Sequence, residues 1–189
     1  MIAQKLARGI AVVAVSAVAL TGCTSPSGSD SEDSGSNDSA GKDASGAGVA
    51  KVNFDEVIVE QDVKIGGSSE ATATIGVLSL KVEGEVQTLR LAVTPHIKGA
   101  EDDERFSVYD IWNESKFSPQ LVDKGNLKVY SPISTSYEQW TSDSVQTETK
   151  NETPMEVWAV FAAPQDDIDS FDIRLADSWP VFTDVPVTQ

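Results

Sequence analysis

The chemistry open to this sequence is limited by its single cysteine, Cys23, and its single histidine, His96, among 189 residues. A disulfide framework needs paired cysteines, and a zinc site of the usual kind needs about four Cys or His ligands, so both are excluded. A serine triad would have to use His96, which follows Pro95 and fits an edge strand or a loop better than a catalytic base. The Gly-x-Ser-x-Gly motif of serine hydrolases is absent. We therefore expect a protein that is not an enzyme.

Two dense carboxylate clusters offer oxygen ligands for a hard cation such as calcium. They comprise Glu101, Asp102, Asp103 and Glu104 in one segment and Asp166, Asp167 and Asp169 in the other. Neither matches the spacing of an EF-hand loop, and adjacent residues of a strand point to opposite faces, which favours solvated acidic turns. We expect no metal and no cofactor, and these residues stay weak candidates for a cation site.

Aromatic side chains are the stronger candidates for binding, because exposed aromatics form hot spots in protein interfaces. Trp112 and Trp140 lie in polar, loop-like surroundings, while Trp179 and Phe182 lie in a late apolar segment. These four residues are the predicted partner-binding residues. Trp158, by contrast, lies in the most apolar strand and is predicted to belong to the core.

The first 22 residues are typical of an export signal. Lys5 and Arg8 precede an apolar run over residues 10–20, which is too short for a bilayer span of about 20 residues. The run ends in Leu-Thr-Gly-Cys, which resembles the bacterial lipobox, in which the cysteine receives a diacylglycerol and becomes the first residue. This resemblance implies that residues 1–22 are a lipoprotein signal peptide and that Cys23 is lipidated, which anchors the protein to the outer leaflet of the bacterial cell membrane.

Residues 23–48 are predicted to be a disordered linker behind the lipid anchor. After Cys23 the segment is almost wholly Ser, Gly, Asp, Asn and Ala, so it cannot bury enough apolar surface to offset its conformational entropy. The whole sequence carries a formal net charge of -16, which repels polyanions and argues against nucleic-acid binding.

Residues 49–189 are predicted to form one all-β domain. Short stretches rich in Val, Ile, Thr and aromatics alternate with period two and are separated by Gly, Pro and Asp. Glu83-Gly84-Glu85 is typical of a tight turn, a bulge is expected near residues 76–78, and Pro95 is expected to end its strand. Residues 157–162 are apolar on both faces, which favours a central strand. With the weaker segments over residues 107–111, 127–130 and 144–149 counted, about seven to nine strands result, which fits an immunoglobulin-like antiparallel β-sandwich.

A family resemblance covers roughly residues 86–176. Residues 117–130 combine an aromatic residue, Leu-x-Asp-x-x-Gly and a tyrosine, and residues 155–164 form a strand that ends in Phe-x-x-Pro. This pattern resembles the telokin-like, immunoglobulin-fold domain of lipoproteins on Gram-positive and actinobacterial surfaces. The resemblance implies an extracellular binding or scaffold role, a turn at Asp123 and Gly125, and core positions for Phe117 and Phe161.

The expected function is that of a membrane-anchored, non-enzymatic lipoprotein that binds a protein of the cell envelope. The domain is expected to be a soluble monomer that binds its partner through loops, an edge strand or exposed aromatics. The alternative is a cation- or small-ligand-binding lipoprotein that uses the two acidic clusters. A hydrolase of wall polymers has the least support.

Overall fold

The alternating apolar segments form strands in a computed structural model, which describes residues 53–189. The strands are β1 (Val59–Lys64), β2 (Ala71–Glu83), β3 (Val86–Ile97), β4 (Arg105–Ser107), β5 (Gln120–Asp123), β6 (Lys128–Tyr130), β7 (Glu148–Lys150), β8 (Met155–Ala162), β9 (Ser170–Arg174) and β10 (Phe182–Pro186). A 3-10 turn covers Ile65–Gly67, and one short helix, α1, covers Val108–Ile111. The expected signal peptide, Cys23, the linker and the domain start at residue 49 lie outside the described residues.

The strands form two four-stranded antiparallel sheets and one two-stranded sheet. The first sheet has the order β1-β2-β3-β8, the second sheet has the order β10-β9-β5-β6, and β4 pairs with β7. The prediction of an all-β, antiparallel fold is confirmed. The ten strands exceed the predicted seven to nine, because the short β4–β7 pair adds two to the eight strands of the larger sheets.

One hydrophobic core is shared by both large sheets, consistent with a β-sandwich. Ile75, Leu89 and Phe161 come from the first sheet and Leu121 and Ile173 from the second, and all five are fully buried. Burying a side chain of this size contributes about 1.5–3 kcal/mol, so inward residues from both sheets provide the main stabilisation. Phe117, which the family resemblance placed in the core, is also buried.

The β2–β3 hairpin carries the predicted turn and the predicted bulge. Gly84 has a φ of 63°, a conformation that glycine adopts without a steric penalty, and it lies between the paired residues Glu83 and Val86. The register shifts between Val77 and Ser79. Before the shift the odd-numbered residues Ile75 and Val77 point inward, and after it the even-numbered Leu80 does. The bulge therefore keeps apolar residues inward along the whole strand.

The prediction that Pro95 ends its strand is wrong, because β3 continues to Ile97 and Pro95 pairs with Ala73 of β2. The ladder with β8 ends at Val93, so Pro95 lies beyond it. The carbonyl oxygen of Pro95 accepts a hydrogen bond from the Glu152 N–H, on the side away from β2. Since the nitrogen of a strand residue points to the same side as its carbonyl, the missing N–H of Pro95 removes no bond to β2.

The C-terminal segment connects the two sheets. After β10 in the second sheet, Thr188 forms a parallel bridge with Lys81 of the first sheet. The Val82 N–H donates to Thr188 O at 2.8 Å, and the Thr188 N–H donates to Leu80 O at 2.9 Å. On the side of β2 that faces away from β3, β1 pairs only with the first half of the strand, up to Val77. The C-terminal segment pairs with part of the second half.

No helix within residues 53–189 has the length and apolar character needed to cross a bilayer.

Candidate binding surface

The segment before Trp112 was predicted as a strand over residues 107–111 but folds as a helical turn. Ser107 ends β4 and caps α1: its hydroxyl accepts from the Asp110 N–H at 3.2 Å, and the Asp110 carboxylate accepts from the Ser107 N–H at 2.8 Å. This reciprocal capping box stabilises the first turn. It places Ile111 and Trp112 in the core.

Trp112 is the centre of a buried aromatic cluster. Its ring lies 5.0 Å from the Phe117 ring in an edge-on arrangement and 5.0 Å from the Trp179 ring. The indole N–H of Trp112 donates to Leu175 O at 3.2 Å, and that of Trp179 donates to Lys64 O at 3.1 Å. Both polar atoms are satisfied inside the protein, so these two tryptophans join β1 to the chain around residues 175–179.

Two of the four predicted partner-binding residues are therefore not on the surface. Trp112 is 4% exposed and Phe182 is 1% exposed, because both side chains pack into the core between the sheets. Trp179 is half-buried and packs against that core. β10 begins at Phe182 and turns that ring inward. Trp140 alone has an exposed ring, at 47%.

Neither acidic cluster forms a cation site in the described part of the chain. Residues 101–104 form an exposed loop in which the Glu104 carboxylate accepts from the Glu101 N–H at 3.1 Å. In the other cluster, Asp166 pairs with Lys128. Within residues 53–189, no group of three or more His, Cys, Asp or Glu side chains is placed to hold a metal ion.

Trp158 lies on the outer face of the first sheet, contrary to the prediction that it belongs to the core. Along β8, Met155, Val157, Ala159 and Phe161 point inward, so Trp158 points outward and is 39% exposed. β8 is also the last strand in the order of its sheet rather than a central strand. The edge of β8 that faces away from β3 forms backbone hydrogen bonds with an irregular segment. These bonds involve Ile133, Trp140 and Ser142.

Trp140 and Trp158 share this outer face. Thr141 bridges Ala159 in antiparallel fashion, with the Val160 N–H donating to Trp140 O and the Ser142 N–H donating to Trp158 O, both at 2.9 Å. Trp140 is therefore opposite Val160 and diagonal to Trp158, a placement that separates backbones by about 7–8 Å. We call Trp140, Trp158 and Val160 the aromatic face.

A groove of about 510 Å³ lies on the other side of the same irregular segment. Gln139 and Thr141 line it, whereas Trp140 between them belongs to the aromatic face. The buried Phe117 ring contributes to its lining, and its exposed aromatic residues are Tyr109 at 38% and Tyr137 at 95%. We call this the tyrosine groove, and its remaining lining residues are Lys116, Glu138, Ser142, Asp143, Ser144 and Val145.

Charged groups border both surfaces. Arg90 is directly opposite Trp158 in the β3–β8 ladder and donates to Glu156, and this hydrogen bond raises the pKa of the guanidinium. At the tyrosine groove, Asp143 Oδ1 accepts from the Gln146 and Val145 N–H groups, each at 2.8 Å. These two bonds lower the pKa of the Asp143 carboxyl, which stays ionised and holds the turn in the groove wall.

Comparison with known proteins yields no match to a family model, a curated protein or a solved structure.

Sequence reasoning missed three of the four exposed aromatic residues in this region. Tyr109 and Tyr137 are not among the predicted partner-binding residues, and Trp158 is predicted to belong to the core. Tyr137 and Trp140 lie in a polar segment outside the named strands, and this is the sequence signal that points to the region.

Proposed function

We propose that this protein is a non-enzymatic binding module whose aromatic face docks on a protein of the bacterial cell envelope. The observation that carries the proposal is the placement of two half-exposed tryptophans at the outer face of the first sheet, Trp158 on β8 and Trp140 on the segment that is bridged to β8. Tryptophan is enriched among interface hot spots because a large ring buries much apolar area at a low cost in side-chain entropy.

The surroundings of the two rings support a protein partner. The Arg90–Glu156 pair lies next to Trp158 in the β3–β8 ladder, so charged groups border an apolar centre, which is the usual anatomy of a protein interface. The net charge of -16 favours a partner with a basic docking surface and raises the rate of encounter with it.

We also propose that the fold is immunoglobulin-like and telokin-like. Two antiparallel sheets around one core are compatible with that family, and so is the turn in which Asp123 Oδ1 accepts from the Asn126 N–H at 2.9 Å. The Leu-Thr-Gly-Cys motif supports a lipid anchor at Cys23, a location on the outer leaflet and a tether over residues 23–48.

In-cell crosslinking followed by mass spectrometry tests the binding proposal. The full chain is compared with a Trp140→Ala/Trp158→Ala double variant and with Leu127→Ala, which removes an exposed apolar side chain from the β5–β6 turn. We expect one envelope protein to be captured by the parent and by Leu127→Ala, and the double variant to lose it.

Two results would contradict this proposal. Capture that persists in the double variant means that the aromatic face is not the docking site. Absence of specific capture by the parent means that the protein has no stable envelope partner. Mature protein in which mass spectrometry finds Cys23 without an acyl chain would separately contradict the lipid anchor.

A further inference from the structure

The tyrosine groove is a second surface, which the proposed docking at the aromatic face does not use. Its volume of about 510 Å³ lies within the range of about 300–1,000 Å³ that is usual for small-ligand sites. Gln139 and Thr141 line the groove, whereas Trp140 between them belongs to the aromatic face. The two surfaces therefore lie on opposite sides of one segment and can be occupied independently.

Two tyrosine rings form the exposed aromatic part of the groove. Tyr109 lies on α1, and Tyr137 lies in a turn closed by the bridge between Ser134 and Gln139. Neither phenol hydroxyl has a hydrogen-bond partner within residues 53–189. A phenol offers a flat apolar ring with one polar tip, so this pair suits a ligand that has both C–H faces and hydroxyls.

The polar side chains of the groove are available to a ligand. Gln139 Nε2 donates to Ser118 Oγ at 3.1 Å, which leaves the amide oxygen without a partner in the described part of the chain. The Lys116 ammonium, the Glu138 carboxylate and the Thr141 hydroxyl also have no partner there. The groove therefore supplies donors and acceptors side by side.

The groove walls are held in place before any ligand binds. The Tyr109 N–H donates to Ser144 O at 2.7 Å, and Ser144 Oγ accepts from the Phe117 N–H at 3.1 Å. In the turn that carries Tyr137, the Thr135 N–H donates to Glu138 O at 2.7 Å. A preformed site loses less conformational entropy on binding, so weak individual contacts suffice for a ligand.

The backbone of the groove segment is not open to strand addition. The N–H groups of Trp140, Thr141 and Ser142 all donate to carbonyl oxygens within the protein, at 2.8, 2.8 and 2.9 Å. A peptide that adds as a strand gains its affinity from free backbone groups of this kind. Recognition in the groove therefore depends on side chains, which disfavours an extended peptide.

The charges in the groove disfavour an anionic ligand. Lys116 is one cation against the carboxylates of Glu138 and Asp143, in a chain with a net charge of -16. Phosphates and other anions are therefore repelled. Since the groove also carries a cation, its chemistry fits a neutral ligand with many hydroxyls better than a polycation.

We propose that the tyrosine groove binds a short, neutral oligosaccharide. The C–H faces of a pyranose ring carry a partial positive charge and pack on the negative faces of Tyr109 and Tyr137. Sugar hydroxyls donate to the Glu138 carboxylate and the Gln139 amide oxygen and accept from Lys116. This proposal does not depend on a protein partner at the aromatic face.

Nuclear magnetic resonance of the ¹⁵N-labelled full chain tests the proposal by titration with three neutral probes: cellotetraose, mannotetraose and chitotetraose. We expect at least one probe to shift the amide signals of Gln139 and Ser144 in a saturable way. The Asn126 amide, in the β5–β6 turn, is the internal reference and should not shift. Tetragalacturonate, an anionic tetrasaccharide, should bind at least tenfold more weakly than the best neutral probe.

Tyr137→Ala is the variant that tests the stacking ring, because a side chain that is 95% exposed can be removed without disturbing the core. We expect this variant to raise the Kd of the best probe by roughly tenfold. Tyr137→Phe keeps the ring and should stay within about threefold of the parent, a change of under about 1 kcal/mol. Trp158→Ala, on the aromatic face, is the matched control and should bind like the parent.

Four results would overturn the proposal. They are the absence of saturable shifts with all three neutral probes, unchanged binding in Tyr137→Ala, an equal loss of binding in Trp158→Ala, and equal or tighter binding of tetragalacturonate. Tetralysine is the last probe, and shifts of the Gln139 and Ser144 amides with tetralysine but with no neutral saccharide would assign the groove to a basic peptide instead.

Discussion

Two pairs of tryptophans in this molecule have opposite surroundings. Trp112 and Trp179 are in ring contact, and each indole N–H donates to a backbone carbonyl. Trp140 and Trp158 lie on the outer face of a sheet, and neither indole nitrogen has a hydrogen-bond partner among residues 53–189. The comparison teaches that the indole nitrogen distinguishes a structural tryptophan from a surface one more sharply than the polarity of the neighbouring sequence does.

The largest expected effect of a substitution is at Trp112. Trp112→Ala removes a buried ring from the centre of the cluster, and we expect a loss of about 3–5 kcal/mol in the free energy of unfolding. Urea unfolding followed by circular dichroism measures this loss. Trp140→Ala is the matched control on the surface, for which a change within about 0.5 kcal/mol is expected. Similar losses in the two variants would remove the distinction between the pairs.

A smaller effect is expected from the indole N–H of Trp179. Trp179→Phe keeps a ring against Trp112 but leaves Lys64 O without its donor, so the free energy of unfolding should fall by about 0.5–1.5 kcal/mol. In Trp158→Phe no hydrogen bond is lost, and stability should be unchanged within the error of urea unfolding. Equal stability of Trp179→Phe and the parent would show that the bond to β1 contributes nothing.

The difference in exposure between the two tryptophan pairs can also be tested by fluorescence quenching, in variants that keep the stability of the parent. Acrylamide should quench the emission of Trp140 and Trp158 readily and that of Trp112 poorly, because Trp112 is 4% exposed while the other two are 47% and 39% exposed. Removing the surface pair in Trp140→Phe/Trp158→Phe should therefore lower the quenching constant of the remaining emission. An unchanged constant would mean that the pair is shielded in solution.

The smallest effect on stability is expected when the pH is lowered, and it is confined to the turn at Asp143 in the wall of the tyrosine groove. The pKa of Asp143 is lowered in the folded state, so its contribution to stability is present above the ordinary aspartate value of about 3.9 and is lost as the pH falls through the lower folded value. Amide protection at Val145 should decrease below about pH 4, and Asp143→Asn should abolish this decrease. A parent-like response in that variant would assign the effect to another carboxyl.

Period-two alternation predicts the strands with one buried face. β2, β3 and β9 alternate strongly, and the bulge near Val77 was readable because the apolar phase changes there. β8 is different, since Trp158 and Val160 are as apolar as the inward Val157 and Ala159. The position of the second sheet decides which set is buried, and that position depends on contacts between distant parts of the chain.

The candidate site was less predictable than the fold. Trp112 is followed by the polar stretch of residues 113–116, but the capping box at Ser107 turns the chain and the ring is buried. Trp140 was identified from its polar neighbours, whereas its proximity to Trp158 depends on a single bridge between Thr141 and Ala159. Local composition therefore indicated which residues are exposed only where no long-range contact intervened.

The C-terminal segment also bears on the order in which the protein can fold. The bond from Trp179 to Lys64 spans 115 positions in the chain, and that from Gln61 to Val181 spans 120. Synthesis proceeds from the N-terminus, so β1 and the later half of β2 are made long before the residues that cover their edges. Pairings between such distant residues form slowly, and an uncovered strand edge can recruit another chain in the meantime. The charged residues Glu60, Asp62 and Lys64 along β1 are placed to discourage such pairing until the C-terminal segment has docked.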